Sequence, residues 1–215
     1  MIRGIGDPLV AVYARCYLCR VGLNVTNNGN RDFIKENFYD FLASYKQLKN
    51  RGVQAELARQ NMEFPIYLTL YTPALDWILQ GVANNAPESL LVEILARCQE
   101  TCKSALLLNT IMAAFKPIYI ASRALQFIEL VSSCNVEGFP QYLLFRTLGL
   151  CLSLADPPSE QRSQVLSDVW KIVTKLEKPE EYISCAEVWV TFVVKYFSVS
   201  IFYLLKCNGL PRGDV

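Results

Sequence analysis

The sequence predicts an all-α protein built from stacked helix hairpins. Apolar residues recur along most of the chain at the three- and four-residue spacing of helices, and prolines open successive segments. No stretch of useful length shows the period-two alternation that is typical of strands. Helices of roughly 12–20 residues joined by short breaks suit a bundle or a helical-repeat solenoid.

The first two helices are predicted from their boundary residues. Asp7 is suited to an N-cap, Pro8 to the first helical position, and Gly22 to a C-terminal stop. The residues that recur at helical spacing between them are Leu9, Val12, Tyr13, Cys16 and Tyr17. A polar loop is expected over residues 23–30, followed by a second helix over residues 32–51 that is closed by the next glycine.

Prolines mark the helix starts in the middle of the chain. A short segment over residues 54–60 is expected, followed by a break near Glu63-Phe64-Pro65. A helix then opens at Thr72 and Pro73 and ends near Asn84, and the next helix opens at Pro87.

Two further helices are predicted over residues 105–115 and 117–134. One apolar stripe of the second helix joins Ile118, Ala121, Leu125 and Ile128, and other apolar residues widen it. A stripe that broad implies neighbours on two sides, as in the inner layer of a stacked array.

The region from Gly138 to Val190 predicts three consecutive helices, each opened by a proline. The clearest amphipathic helix spans residues 159–176. Its inward residues are Val165, Val169, Ile172, Val173 and Leu176, and its outward residues are Arg162, Asp168, Lys171 and Lys175. Hairpin units of roughly 35–45 residues are within the spacing of HEAT-type repeats, and such arrays mostly bind other proteins.

The composition narrows the class of function. The 215 residues are 52% hydrophobic and 19% charged, which indicates a buried core and not a disordered chain. The net charge of +1 argues against nucleic-acid binding, which needs a basic excess. The chain contains no histidine, so the commonest catalytic base and metal ligand is missing. We therefore predict a protein that is not an enzyme.

The eight cysteines invite a disulfide or zinc interpretation, but their positions favour reduced, structural thiols. Cys16 and Cys19 have CxxC spacing, yet they lie inside a predicted helix and not at the N-terminus that would stabilise a thiolate. Cys98 and Cys102 lie one helical turn apart and have the same interpretation. The first residues do not resemble a signal peptide. No catalytic, cofactor-binding or metal residue is predicted.

Three other features have structural interpretations. The Asn24-Val25-Thr26 tripeptide fits a glycosylation acceptor but is interpreted as a loop. Glu180 and Glu181 follow a proline at a helix start, where carboxylates favour the helix dipole. Arg146 is alone in an apolar helix, and we expect it to snorkel or to pair with a carboxylate, with a partner contact as the alternative.

Residues 188–205 carry one charge, Lys195, and reach the length of a membrane-span candidate. The first half of this segment continues an amphipathic helix that begins near Tyr182. We therefore expect a buried or tail segment, with a membrane span as the alternative.

Five segments carry a resemblance to a known family, and together they cover about residues 1–197 in order. They are MIRGIGDPLVAVYARCYLCRVG, LYTPALDWILQ, ALLLNTIMAAF, GFPQYLLFRTLGLCLSLADPP and EYISCAEVWV. The chain resembles the Vps35-like large scaffold subunits of the retriever (Commander) complex, which are relatives of the retromer scaffold. The resemblance implies a HEAT-like α-solenoid without catalytic residues, cytoplasmic and peripheral on endosomes, that returns membrane cargo to the plasma membrane.

The resemblance also implies protein partners. The family's scaffold carries an arrestin-like Vps26-type subunit and a Vps29-type subunit, and works with coiled-coil and COMM-domain proteins and a sorting nexin. The family's docking segment for the arrestin-like subunit is expected upstream of Met1, and its Vps29-type site in a C-terminal half beyond this sequence. No partner-binding residue is therefore assigned here, and we expect weak or no retention of the arrestin-like subunit.

Residues 1–197 are thus predicted to form a solenoid segment truncated at both ends, and residues 198–215 a divergent tail from intron read-through or an alternative exon. Truncation through a repeat array should expose apolar surface, so we expect poor solubility alone or dependence on a partner. Two alternatives remain. One is a short helical-repeat adaptor or decoy with other protein partners, and the other is a small membrane-anchored protein that uses residues 188–205.

Overall fold

The computed structural model describes the backbone of residues 5–25, 32–134 and 138–207, and the side chains of these residues except Lys46, Lys49 and 198–207. Within these ranges the α-helices are α1 (Pro8–Val25), α2 (Asp32–Tyr45), α3 (Arg51–Arg59), α4 (Phe64–Thr69), α5 (Thr72–Ala83), α6 (Glu88–Thr101), α7 (Ala105–Ala114), α8 (Pro117–Ala121), α9 (Ala124–Ser133), α10 (Gln141–Leu154), α11 (Arg162–Val173) and α12 (Pro179–Cys207). The described residues include no strand, which confirms the predicted all-α class.

The helices pack in a linear order that suits a solenoid. Helix α1 packs against α2 and α5, α5 against α7, and α7 against α10. Helix α10 then packs against α8 and α12, while α11 packs against α9 and α12. The buried side chains form one hydrophobic cluster that extends from Val12 to Phe192. Each helix is therefore stabilised by its neighbours in the array, as in repeat proteins.

Several predicted helix starts are confirmed. The Asp7 carboxylate accepts a hydrogen bond of 2.8 Å from the backbone N–H of Val10, so Asp7 caps α1. Pro73 lies in the first turn of α5, and Pro117 lies in the first turn of α8. Pro87 is the N-cap of α6. A proline fits these positions because its missing N–H is not needed in the first turn.

The predicted end of the first helix was wrong. Helix α1 continues through Gly22 to Val25, and residues 26–31 lie outside the described part. A Cβ on Gly22 would lie 3.0 Å from the ring of Phe33, so this glycine permits a close approach of α2. The residue therefore serves packing and does not end the helix.

The predicted helix over residues 32–51 is interrupted. Helix α2 ends at Tyr45, a 3-10 turn follows over Lys46–Lys49, and α3 begins at Arg51 with Gly52 inside its first turn. Tertiary contacts explain the break, because the Tyr45 hydroxyl is hydrogen-bonded to Ser104 at 2.9 Å and Leu48 is buried in the core. The predicted break near Glu63 is confirmed, because residues 60–63 separate α3 from α4, and Pro65 lies in the first turn of α4.

The predicted helix over residues 117–134 divides into α8 and α9. The chain turns at Ser122 and Arg123, where the Arg123 guanidinium donates to the Glu88 carboxylate at 2.9 Å. Ile118 was wrongly placed in the apolar stripe, because it is 52% exposed, whereas Ala121 and Ile128 are buried.

The predicted helix over residues 159–176 is shorter than expected, because it begins with a 3-10 turn over Ser159–Gln161 and α11 spans Arg162–Val173. Its buried residues are Val165, Val169 and Val173, as predicted. Arg162 and Asp168 are half-buried and not fully outward. The Arg162 guanidinium lies 4.3 Å from the centre of the Tyr196 ring of α12, whereas the Asp168 carboxylate accepts hydrogen bonds from Gln164 and Lys171 of α11 itself.

Helix α12 lies along α10. The indole N–H of Trp189 donates to the Phe145 carbonyl at 3.0 Å, and the Trp189 ring is fully buried. The helix runs without a break across the predicted junction between residues 197 and 198. The division into a solenoid segment and a divergent tail stays a prediction.

Candidate protein-interaction surface

The CxxC cysteines occupy the interior of α1. Cys19 is buried and Cys16 is half-buried. Burial raises the pKa of the Cys16 thiol and raises that of Cys19 to about 11, so both are neutral near pH 7. The described residues include no cluster of three or more His, Cys, Asp or Glu side chains that could hold a metal ion.

Cys98 and Cys102 lie near the end of α6, where Cys102 is the C-cap. Together with Cys134 they line a small cavity of about 60 Å³ between α6, α7 and α9. Burial raises the pKa of Cys98 to about 12, and raises the pKa of Cys134 as well. The seven described cysteines are all free thiols. The chemistry of these thiols is that of small core residues.

We expect the buried thiols of Cys98 and Cys151 to resist alkylation in the folded protein. At pH 7.5, Cys98 and Cys151 should react with iodoacetamide much more slowly than the same residues after unfolding in urea, because their raised pKa values leave little thiolate. Mass spectrometry of peptides after timed alkylation measures both rates. Equal rates at Cys98 in folded and unfolded protein would contradict the described packing.

The same thiols set an alkaline limit on stability. The pKa of each thiol is raised from its ordinary value of 9.0 in the folded protein. Above about pH 9 the thiol therefore keeps its proton in the folded state but has lost it in the unfolded state. The free energy of unfolding should therefore fall as the pH rises through about 9 towards 12. Urea unfolding at pH 8 and pH 10.5 measures this change, and the double variant Cys98→Ala/Cys151→Ala should reduce it.

Arg146 and the acidic pair occupy the α10–α12 region. Arg146 is half-buried, no carboxylate among the described residues pairs with it, and its Nε has no hydrogen-bond partner there. Of the two expectations for Arg146, pairing with a carboxylate is therefore not seen in the described part of the chain, and snorkelling, with a partner contact as the alternative, stays a prediction. Glu180 and Glu181 lie in the first turn of α12 as predicted, and Glu181 forms an ion pair of 3.0 Å with Lys178.

The membrane-span candidate over residues 188–205 belongs to α12. Side chains from residue 198 onwards lie outside the described part. In the part that the structure does describe, no helix has the length and apolar character needed to cross a bilayer.

An apolar surface is left open on α1. Its exposed residues are Val10, Tyr13, Tyr17, Leu18, Val21 and Val25. The Tyr13 hydroxyl donates to the Leu70 carbonyl at 2.9 Å, which fixes α1 against the end of α4. Ile66 and Leu70 extend the same surface and are also exposed. We call these eight residues the α1/α4 face.

The α1/α4 face has the chemistry of a protein contact. Contiguous exposed apolar patches are uncommon on soluble monomers and mark interaction sites, and tyrosine is enriched at interfaces. The sequence pattern placed Tyr13 and Tyr17 at helical spacing without separating them from the core residues. The buried line of α1 is instead Ala11, Val12, Arg15 and Cys19.

Buried Arg15 is a residue that the sequence analysis missed. It is 1% exposed, and its guanidinium donates to the Ser44 hydroxyl of α2 at 3.1 Å. The sequence does contain a sign of this burial, because residues 12, 15 and 19 follow the spacing of a single helix face. A charged residue on an otherwise apolar helix face indicates a polar contact within the core, which here lies between α1 and α2.

Fold and surface together define a helical-repeat protein with apolar faces open to other proteins. The family model described as the VPS35L C-terminal domain matches residues 86–204, and the VPS35L model matches residues 1–70. The chain belongs to the VPS35L family, which confirms the resemblance seen in the sequence.

Curated relatives extend this finding. The chain is 51% identical over 198 residues to the human protein named VPS35 endosomal protein-sorting factor-like, and 51% identical to the Danio rerio protein of that name. Identity to the Dictyostelium discoideum relative is 37% over 199 residues. Each alignment covers 92% of this chain and 20% of the relative. The chain therefore spans about a fifth of the length of these relatives.

Proposed function

We propose that the chain acts as a non-enzymatic scaffold segment in endosomal protein sorting, within a retriever-like complex that returns membrane cargo to the plasma membrane. The observation that carries this proposal is the 51% identity over 198 residues to a human protein named as an endosomal protein-sorting factor. The matched residues include nearly all of the described helical array.

The physical properties of the array support a scaffold role. One hydrophobic cluster from Val12 to Phe192 makes the helices a continuous body that holds distant surfaces at a fixed spacing. The α1/α4 face supplies apolar contact area at one end of that body. From the sorting role we infer that the protein is located on the cytoplasmic side of endosomes, where partner proteins attach it to the membrane.

The partners are proposed from the same family membership. We infer an arrestin-like Vps26-type subunit, a Vps29-type subunit, coiled-coil and COMM-domain proteins and a sorting nexin as members of the complete assembly. The matched part is about a fifth of the relatives' length, so we expect these 215 residues to bind the partners more weakly than a full-length relative does.

A chimera tests whether this chain can serve as the corresponding segment of a full-length sorting scaffold. The segment of the human relative that aligns with this chain is replaced by the matching part of this chain's sequence, and the tagged chimera is purified from human cells that lack the relative. The account predicts that the Vps26-type and Vps29-type subunits co-purify at levels near those of the human protein. A chimera that is folded and expressed but recovers neither subunit would contradict the proposal.

A decoy role is the second candidate, and the open α1/α4 face favours it, because this surface could bind a partner of the relative. The free chain, overproduced in cells with an intact relative, should then lower the amount of Vps26-type subunit that co-purifies with the relative. A Tyr17→Glu variant should lose this effect, since Tyr17 is 66% exposed and its substitution leaves the core intact. No change with the unaltered chain would exclude the decoy role.

A further inference from the structure

Arg146 of α10 carries a charge that no described residue satisfies. The residue is half-buried, and its Nε atom is fully buried without a hydrogen bond. Its guanidinium forms no hydrogen bond, ion pair or ring contact with any described residue, and its two Nη atoms stay accessible at the surface. A buried donor without a partner is unfavourable, so the position of this side chain needs an explanation.

The Arg146 guanidinium lies at the junction of α10 and α12. Burial raises the pKa of the Cys185 thiol to about 11, and the positive charge of Arg146 opposes that rise, which places the guanidinium near α12. Glu181 lies one helical turn before Cys185 but pairs with Lys178 at 3.0 Å. The Arg146 charge is therefore available to a group outside the described residues.

A second unsatisfied polar atom lies on the same side of α10. The Ser153 Oγ atom is buried and has no hydrogen-bond partner among the described residues. Ser153 follows Arg146 by about two helical turns, so the two residues share one face. Leu150 and Leu154 lie beside them and are 39% and 73% exposed. We call Arg146, Leu150, Ser153 and Leu154 the α10 strip.

Neighbouring helices border the α10 strip without covering it. On one side, Gly149 packs against Val188 and Trp189 of α12. On the other side, the Thr147 hydroxyl donates to the Asn109 side chain of α7 at 2.7 Å. The strip between these contacts combines one unpaired positive charge with exposed leucines.

We propose that the α10 strip is a docking surface for an acidic helical segment of a partner protein, in which a carboxylate pairs with Arg146 and apolar side chains cover Leu150 and Leu154. These three residues follow one another at intervals of about one helical turn, which is the spacing that a second helix presents. The inference does not rest on the proposed sorting role.

Charge complementarity identifies the occupant. A guanidinium binds a carboxylate through two parallel hydrogen bonds, and such charge-assisted bonds are among the strong ones in proteins. The exposed leucines beside Arg146 would exclude water from this ion pair, which strengthens it. Because the stem of Arg146 is already held between α10 and α12, little side-chain freedom is lost on binding.

A phosphate group or a lipid surface matches the α10 strip less well. Phosphate groups are recognised by clusters of arginines, and anionic membranes by clusters of lysines and arginines. Lys195 borders the end of the strip, where it donates to the Ser153 carbonyl, but its charge is paired with Asp156 at 2.8 Å. One unpaired cation beside leucines matches one carboxylate beside apolar residues.

Titration of the 215-residue chain with a designed peptide tests this chemistry. The probe is an alanine-rich helical peptide of about 20 residues, with one glutamate at its centre and leucines one and two turns to either side. A matched peptide carries glutamine in place of the glutamate. Fluorescence anisotropy measures both affinities. The Nε–H signal of Arg146 in the nitrogen–proton NMR spectrum, assigned from its loss in Arg146→Lys, reports the site.

We expect the glutamate peptide to bind about tenfold more tightly than the glutamine peptide and to shift the Arg146 signal. In Arg146→Gln the two peptides should bind equally. Leu154→Ser should weaken the binding of both peptides by about fivefold, because less apolar surface is buried. Arg97→Gln is the matched control and should keep the tenfold preference, since Arg97 lies on α6 over the Tyr39 ring. Circular dichroism checks that each variant is helical.

Equal affinities of the two peptides for the unaltered chain would overturn the proposal, as would no binding up to about 1 mM. So would a preference for glutamate that survives in Arg146→Gln, because the carboxylate would then bind elsewhere. If inorganic phosphate or phosphatidylserine vesicles shift the Arg146 signal and the glutamate peptide does not, the occupant is not a protein carboxylate and the proposal fails.

Discussion

Replacement of Trp189 by alanine is expected to lower the free energy of unfolding by about 3–5 kcal/mol, the range observed when large aromatic side chains are removed from protein cores. The Trp189 ring is 0% exposed. It lies between α10 and α12 and packs against Phe192 with ring centroids 5.3 Å apart. Removing it opens a cavity at the contact that joins the last hairpin to the array.

Urea unfolding followed by circular dichroism measures this loss as a lower midpoint at unchanged slope. Trp77→Ala is the matched control, since Trp77 lies on α5 and is only partly buried. Trp77→Ala should lower the free energy of unfolding clearly less than Trp189→Ala does. If both variants lost the same stability, the described contact between α10 and α12 would not be the one that holds α12 in place.

Gly149→Leu is the second substitution with a large expected effect, and it acts on the same contact from the other side. A Cβ at residue 149 would lie 2.8 Å from Val188 Cγ1 and 3.0 Å from Trp189 Cε2. Carbon atoms do not approach so closely, so α12 must move away from α10. Forcing extra methylenes into a packed core costs about 1–3 kcal/mol, occasionally more.

Gly52→Leu controls for the change of residue type. Gly52 lies in α3 with nothing within 4 Å of its built Cβ, so leucine there should be neutral or slightly stabilising through helix propensity. The double variant Gly149→Leu/Trp189→Ala should lose less stability than the sum of the two single losses, because the missing indole gives the new side chain space. Additive losses would show that the two residues do not share one contact.

Helix starts could be predicted from the sequence because their cause is local. Proline restricts the backbone of its own residue, so Pro73, Pro87 and Pro117 identified their helices correctly. The breaks after Tyr45 and at Ser122 have no such local signal. They depend on contacts with Ser104 and Glu88, which are distant in the sequence.

The candidate interaction surface was harder to predict for a related reason. Periodicity finds the apolar positions of a helix but does not say which apolar side its neighbours will cover. On α1 the neighbours cover the line of Val12 and Cys19 and leave Tyr13 and Tyr17 open.

The central claim is that this chain serves as a segment of an endosomal sorting scaffold. Its most direct test is cargo recycling in human cells that lack the relative and express the chimera described above. Return of an internalised membrane protein to the plasma membrane is measured by surface biotinylation over time. The account predicts recycling near the level restored by the human protein, and loss of rescue when the chimera carries Gly149→Leu. A stable chimera that restores no recycling would contradict the claim.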